Sequence, residues 1–250
     1  MITGMIPGRH VPFHSLCNFR DLGGYATADG RITRWRTLYR ADSLGRLAGE
    51  DDLRRFRDLG IGTVIDLRYP WEIAAAGRLP ETEGVTWLNL SIEHRAYDQS
   101  QIDPDIDPWR YLADRYAEVA ADGTAELRRA LETIAAADAP LVFHCASGKD
   151  RTGLLAAVLL ALLDVPVETI AADFALTELA TGRLRERWLT DHPGRELRWP
   201  GYGRAPAELI LMVLADLVAE HGSVHRYATE RLGLGDGVLS ALRTRLLMSS

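Results

Sequence analysis

The sequence predicts an α/β protein with a central, mostly parallel sheet flanked by helices and additional helices at its C-terminal end. Three observations carry this prediction. Short apolar runs, "TVIDLR" (63–68), "TWLNLSI" (86–92) and "PLVFHC" (140–145), have the length and composition of buried strands. Segments with apolar residues at helical spacing lie before and between them. Beyond residue 145 the pattern is helical throughout.

The elements follow in order. "EDDLRRFRDLG" (50–60) reads as a helix with Leu53 and Phe56 turned inward and Gly60 closing it. Trp109, Leu112, Tyr116 and Val119 recur at helical spacing, as do Leu127, Leu131 and Ile134, so two helices are expected ahead of the strand at 140–145. The ten-residue apolar run Leu154 to Leu163 then marks a buried helix, being about half the ~20 residues that cross a bilayer. No repeat, low-complexity tract or linker divides the 250 residues, and one domain over 1–250 is the expectation.

Composition narrows the function. With 47% hydrophobic and 26% charged residues, the chain has the balance of a soluble globular protein. A net charge of -6 excludes a general nucleic-acid binder, so any anionic ligand must be caught locally. The start "MITGMIPGRHVPF" lacks the layout of a signal peptide, and the expected location is cytoplasmic, a default that export without such a signal would change. Cys17 and Cys145 are too few for a disulfide framework or a four-ligand zinc site. The seven histidines show no paired spacing such as HExxH, and neither a metal nor a cofactor is expected.

One segment concentrates chemistry. In "FHCASGKDRTG" (143–153), a strand end and a helix start near Thr152 leave Ala146 to Arg151 to turn the chain. Gly148 can take the positive φ that such a turn needs. Successive N–H groups can then face inward as an anion nest, reinforced by the following helix N-terminus. Cys145 at the base of this nest, beside Arg151, is expected to be a thiolate nucleophile. Arg151 lies six positions later, far enough for its planar fork to grip two oxygens of a phosphoryl group. Thr152 can donate its hydroxyl to the sulfur, and His144 is expected to fix the loop rather than act as a base. The spacing is not that of a nucleotide P-loop: position 143 is Phe and Asp150 follows Lys149, which disfavours ATP.

"HCASGKDRTG" resembles the Cys-five residues-Arg signature of cysteine-dependent phosphatases, in particular the bacterial tyrosine and dual-specificity branch with Gly-Lys-Asp-Arg-Thr-Gly. "NFRDLGGY" (18–25), "LYRADSL" (38–44), "IGTVIDLR" (61–68) and the tail "HGSVHRYATERLGLGDGVLSALRTRLL" resemble the same family. The resemblance implies a tyrosine phosphatase-like fold and activity on phosphotyrosine, in some members also on phosphoserine, phosphothreonine and phosphoinositides. The expected partner is accordingly a phosphorylated protein or a phosphoinositide. Phosphate would sit among Ala146, Ser147, Gly148, Lys149 and Thr152, with Cys145 and Arg151 catalytic. Asp150 is the favoured general acid and Asp66, beside Arg68, the runner-up. Lys149 adds a second cation suited to multiply phosphorylated or lipid head-group substrates, or pairs with Asp66 or Asp150.

Two further expectations concern the surroundings. "NFRDLGG" reads as a structural turn in which Arg20 pairs with Asp21. The stretch 181–206, with six arginines and two tryptophans, reads either as a solvated helix face or as a lid bordering the pocket. Competing functions are a phospho-ligand-binding pseudo-phosphatase and another thiol enzyme such as a sulfurtransferase or arsenate reductase. Intact Cys145 and Arg151 weigh against the first, and Gly148-Lys149-Asp150 against the second. Oligomeric state is not readable from the sequence.

Overall fold

The computed structural model describes residues 8–92 and 102–249. Its centre is a five-stranded sheet in the order β1-β3-β6-β4-β5. These strands are β1 (Arg20–Asp21), β3 (Leu38–Ala41), β4 (Thr63–Asp66), β5 (Thr86–Asn89) and β6 (Leu141–His144). β1 runs antiparallel to β3, and the remaining pairs are parallel. A separate antiparallel pair joins β2 (Arg31–Thr33) to β7 (Leu247–Ser249). The helices are α1 (Glu50–Asp58), α2 (Pro70–Ala76), α3 (Pro108–Asp122), α4 (Thr124–Ala136), α5 (Asp150–Leu162), α6 (Val167–Ala175), α7 (Thr181–Asp191), α8 (Ala207–His221), the short α9 (Val224–Arg226) and α10 (Asp236–Leu246). The predicted mostly parallel α/β sheet with extra C-terminal helices is what the chain forms.

Alternation along the strands shows why both faces are covered. In β6, Val142 faces one core with Phe13, Leu16, Phe19 and Phe56, while Leu141 and Phe143 face a larger core built by α3, α4, α5, α6, α8 and α10. β4 divides its side chains the same way, Val64 to the first core and Ile65 to the second. A helix between two layers must be apolar all round. That is the position of α5, which lies against β3 and β6 and is covered by α3, α6, α8 and α9.

The expected helices at 50–60, around Trp109 to Val119 and around Leu127 to Ile134 are α1, α3 and α4. Asp107 starts α3 by accepting the Trp109 N–H at 2.9 Å, with Pro108 at the first position. The expectation that everything after residue 145 is helical is corrected by β7, whose three residues are too few to register as a pattern. β1, β2 and α2 are likewise too short to read, and in β3 the buried Arg40 interrupts the apolar run. Among the described residues no helix is long and apolar enough to cross a membrane.

Register aligns the site. Ala41, Asp66 and His144 are level across β3, β4 and β6, so Asp42, Leu67 and Cys145 emerge together at the carboxyl edge of the sheet. Behind that edge, a buried carboxylate on α6 fastens the helix to two strands. Asp173 accepts from Arg20 Nε at 3.0 Å, Arg40 Nη1 at 2.8 Å and the Tyr25 hydroxyl at 2.8 Å. Arg20 therefore does not pair with Asp21, which instead accepts the backbone N–H groups of Gly23 and Arg36. The aspartate next in sequence is used up in turning the chain.

Burial alone would raise the Asp173 carboxyl, but the charges of Arg20 and Arg40 and the Tyr25 hydrogen bond hold it far below the usual carboxylate range. Burial, with Arg20 alongside, pushes Arg40 down to about 10, so it stays protonated at neutral pH. A depressed carboxylate contributes stability that is fully present above the unfolded value of ~4 and is lost as pH falls below it. Asp173→Asn, leaving two buried guanidiniums against a neutral amide, is expected to cost about 3–5 kcal/mol in urea unfolding at pH 7. The difference from wild type should shrink as the pH is lowered below about 4.

Candidate active site

Gly148 has φ +68°, and a Cβ there would lie 2.4 Å from the carbonyl oxygen of Ala41, so the turn is open to glycine alone. Each carbonyl of the preceding turn is held from outside. His144 Nδ1 lies 3.1 Å from Cys145 O, which can only accept, so Nδ1 carries the proton. Ser43 N–H donates to Ala146 O at 3.1 Å. Asn18 Nδ2 donates to Ser147 O at 2.9 Å and Gly148 O at 3.2 Å, and Arg40 Nη2 donates to Gly148 O at 2.9 Å. In a trans peptide the N–H points opposite to the C=O of the same plane. Four outward carbonyls therefore leave the N–H groups of Ala146, Ser147, Gly148 and Lys149 facing the other way, and among the described residues they meet no acceptor. The turn thus places four backbone donors without partners just ahead of α5, the arrangement from which anion-binding nests are made.

Cys145, the residue between the end of β6 and this turn, is buried. Arg151, on the first turn of α5, is gripped by Glu72 of α2: Nη1 to Oε2 at 2.6 Å and Nη2 to Oε1 at 2.8 Å. Its guanidinium also lies 5.1 Å from the Tyr69 ring. Burial works against the charge of Arg151, but the Glu72 hydrogen bonds and the charge on Cys145 outweigh it and raise its affinity for the proton. The sulfur and the guanidinium thus share one electrostatic site. Glu72 gives no signal of this role in the sequence: it sits in the first turn of α2, 79 residues before its partner, and no spacing rule reaches across a fold.

Asp66 is fully buried and held by Arg68, Nε to Oδ1 at 2.9 Å and Nη2 to Oδ2 at 2.6 Å. Burial alone would raise it, yet Arg68 and the nearby His144 bring it below the ordinary carboxylate value. Burial in turn lowers His144, more than Asp66 raises it. Asp150 is the more open of the two candidate acids, accepting from the Tyr116 hydroxyl at 3.1 Å and lying 3.1 Å from Lys149 Nζ. Lys149 pairs with Asp150 rather than Asp66 and also donates to Arg204 O at 3.1 Å. The Thr152 hydroxyl is buried with no hydrogen-bond partner, so the expected bond to the Cys145 sulfur is not made.

Cys17 has the opposite setting. Its thiol donates to Asp42 at 3.3 Å, and burial with that adjacent carboxylate pushes it up to about 12. It is a protonated thiol. The 181–206 stretch is tied down: Arg183 donates to Leu16 O and His14 O, and Arg187 to Asp42 and Ser15 O, while Trp199 is fully buried. Arg204 O on Lys149 brings the stretch to the edge of the loop. Among the described residues no cluster of three or more His, Cys, Asp or Glu is arranged to hold a metal ion.

A buried thiol, a turn whose amides meet no acceptor and a guanidinium fixed by Glu72, all at the carboxyl edge of this α/β sheet, fit the class of cysteine-dependent phosphatases. The likeness noted in the loop extends over nearly the whole length. The chain belongs to the tyrosine phosphatase family, whose model matches residues 11–248. It is 32% identical over 252 residues to a protein of Cupriavidus necator provisionally named a tyrosine-protein phosphatase, covering 91% of this chain and 86% of that one. It is 30% identical over 200 residues to the triple specificity protein phosphatase PtpB of Mycobacterium tuberculosis, covering 68% of this chain and 70% of the other. A tyrosine-protein phosphatase of Nostoc commune is 29% identical over 144 residues, 54% of this chain and 49% of that one. The protein is a protein-tyrosine phosphatase.

Glu72 sets the direction of the guanidinium fork. Glu72→Gln turns one acceptor into a donor facing Arg151 and removes the charge. The expected result is a fall in kcat/KM on p-nitrophenyl phosphate of roughly 10- to 100-fold, the scale of one lost charge-assisted hydrogen bond. An unchanged kcat/KM would show that Arg151 is oriented without it.

Proposed function

We propose that this phosphatase hydrolyses phosphotyrosine through a phosphocysteine intermediate on Cys145. The reading is carried by the four outward-held carbonyls of residues 145–148, which leave a ring of amide donors at the thiol beside Arg151. The Cys145 thiolate attacks phosphorus, the bond from phosphorus to the ester oxygen breaks, and Asp150 gives its proton to the departing oxygen. Water then attacks phosphorus and returns a proton to Asp150. The sulfur–phosphorus bond breaks, the thiolate is restored and inorganic phosphate leaves. Throughout, the negative equatorial oxygens accept from the loop amides and from Arg151, donors whose individual removal commonly costs ~3–4 kcal/mol.

Asp150 is preferred to Asp66 as the acid because it stands partly open beside the loop, whereas Asp66 is committed to Arg68. The two candidate acids are thus separated by their partners. The proposed substrate range extends to phosphoserine, phosphothreonine and phosphoinositides. Its support is the second cation, Lys149, and the description of the mycobacterial relative as triple specificity.

Cys145→Ser is expected to abolish phosphate release while phosphate still raises the melting temperature; residual turnover would remove Cys145 as nucleophile. Asp150→Asn is expected to slow hydrolysis of aryl phosphates with poor leaving groups by about 10²- to 10⁴-fold, and to spare those with good leaving groups. A loss independent of the leaving group would transfer the role to another residue.

A further inference from the structure

The sequence motif around residues 18–20 remains outside the chemistry described above, yet it reaches the loop from behind. Asn18 is buried, and its side-chain amide is used at both ends. Oδ1 accepts from Arg20 Nη1 at 2.5 Å, which fixes Nδ2 as the end that faces the loop. Nδ2 then donates to Ser147 O at 2.9 Å and Gly148 O at 3.2 Å. Arg20 is itself held by Asp173, and Asp173 also holds Arg40, whose second Nη reaches Gly148 O. The orientation of one amide is thus determined by a buried charge network that spans β1, β3 and α6. The backbone N–H of Asn18 donates to Asp42 at 3.0 Å, so the residue is anchored on its main chain as well.

We propose that Asn18 is a positioning residue for phosphate hydrolysis: by holding the Ser147 and Gly148 carbonyls outward, it sets the Gly148 and Lys149 amides toward phosphate and toward the Cys145 sulfur. The inference rests on Cys145 being the nucleophile. The peptide planes 147–148 and 148–149 lie on either side of Gly148, the residue with the least intrinsic preference for one backbone conformation. Without an external donor, these are the two planes freest to rotate. Turning either one would present a carbonyl oxygen, rather than an N–H, to an anion. Asn18 touches neither substrate nor sulfur, and its effect passes wholly through those two planes.

Asn18→Asp isolates the donor. The variant has the same shape and keeps an acceptor for Arg20, but it sets a carboxylate oxygen against two carbonyl oxygens. Three readouts on the full chain are expected to move together. kcat/KM on p-nitrophenyl phosphate falls by roughly 100-fold, the scale of one lost oxyanion donor. Inorganic vanadate inhibits at a higher concentration by a similar factor. The pH profile of Cys145 alkylation by iodoacetate moves to higher pH, because the amides that hold phosphate also stabilise the thiolate. Thr27→Val serves as the control. The Thr27 hydroxyl donates to Asp29 at 2.6 Å or to Arg31 O at 3.1 Å, away from Asn18 and the loop carbonyls, so this variant should keep the wild-type alkylation profile and vanadate sensitivity.

Should Asn18→Asp lower the melting temperature while its folded fraction keeps both the wild-type alkylation profile and the wild-type vanadate inhibition, Asn18 is a structural residue only and the proposal fails. If Asn18→Asp does not fold, Asn18→Ala removes the donor without adding charge and is read by the same two measurements. Cys145→Ser is assayed alongside. Turnover by that variant would overturn the nucleophile itself, whereas an inactive Cys145→Ser with a wild-type-like Asn18→Asp overturns only the positioning role of Asn18.

Discussion

The planarity of the peptide bond is the constraint on which the rest of this site depends. The proposed chemistry requires inward amides, but among the described residues no acceptor holds them there. The only handle is the carbonyl at the other end of each plane. The chain supplies one from each direction: His144 from the strand below, Ser43 from the adjacent β3 edge, and Asn18 with Arg40 from behind. Donors placed in advance do not have to reorganise during the reaction, which is the source of their catalytic worth.

These outer groups explain features of the fold that packing alone does not require. A buried Arg-Asp-Arg cluster is a poor way to stabilise a core, since desolvating three charges offsets most of their attraction. Its geometry makes sense as a frame. Asp173 aims Arg40 at Gly148 O and Arg20 at the Asn18 side chain, joining α6 and two strands to a single glycine turn. On the opposite side, Glu72 aims Arg151, so the loop and its neighbouring guanidinium are each oriented through a carboxylate, Asp173 and Glu72, that does not itself bond the loop carbonyls.

Much of this is legible in the sequence because the relevant signals are local. Cys145, Gly148 and Arg151 fall within seven consecutive residues, and the strand and helix on either side are strong periodic segments. What sequence reading misses is what only tertiary contact creates. Glu72 lies far from Arg151 along the chain, and Arg20 pairs with Asp173 over 153 residues in place of its neighbour Asp21. Short strands such as β1 and β7 are equally invisible, since two or three residues hold no periodicity and their pairing is decided by the partner strand. The runner-up acid Asp66 is ambiguous for the same reason: proximity to Arg68 in sequence suggests an ion pair, but only the bidentate, fully buried geometry distinguishes a committed carboxylate from an available one.

The two cysteines show how far environment, rather than residue type, decides chemistry. Both are buried, and each lies near an arginine, Arg187 at Cys17 and Arg151 at Cys145. The Cys17 thiol donates to a carboxylate, and burial with the Asp42 charge outweighs the opposing Arg187 guanidinium, 3.1 Å from the sulfur, and keeps the thiol intact. Cys145 precedes the loop and interacts electrostatically with Arg151, whose affinity for the proton is raised. At Cys145 the field that the proposed chemistry needs comes from the loop amides, and rotation of the peptide planes beside Gly148 would reverse it without touching that residue; those planes are held by Asn18 and Arg40.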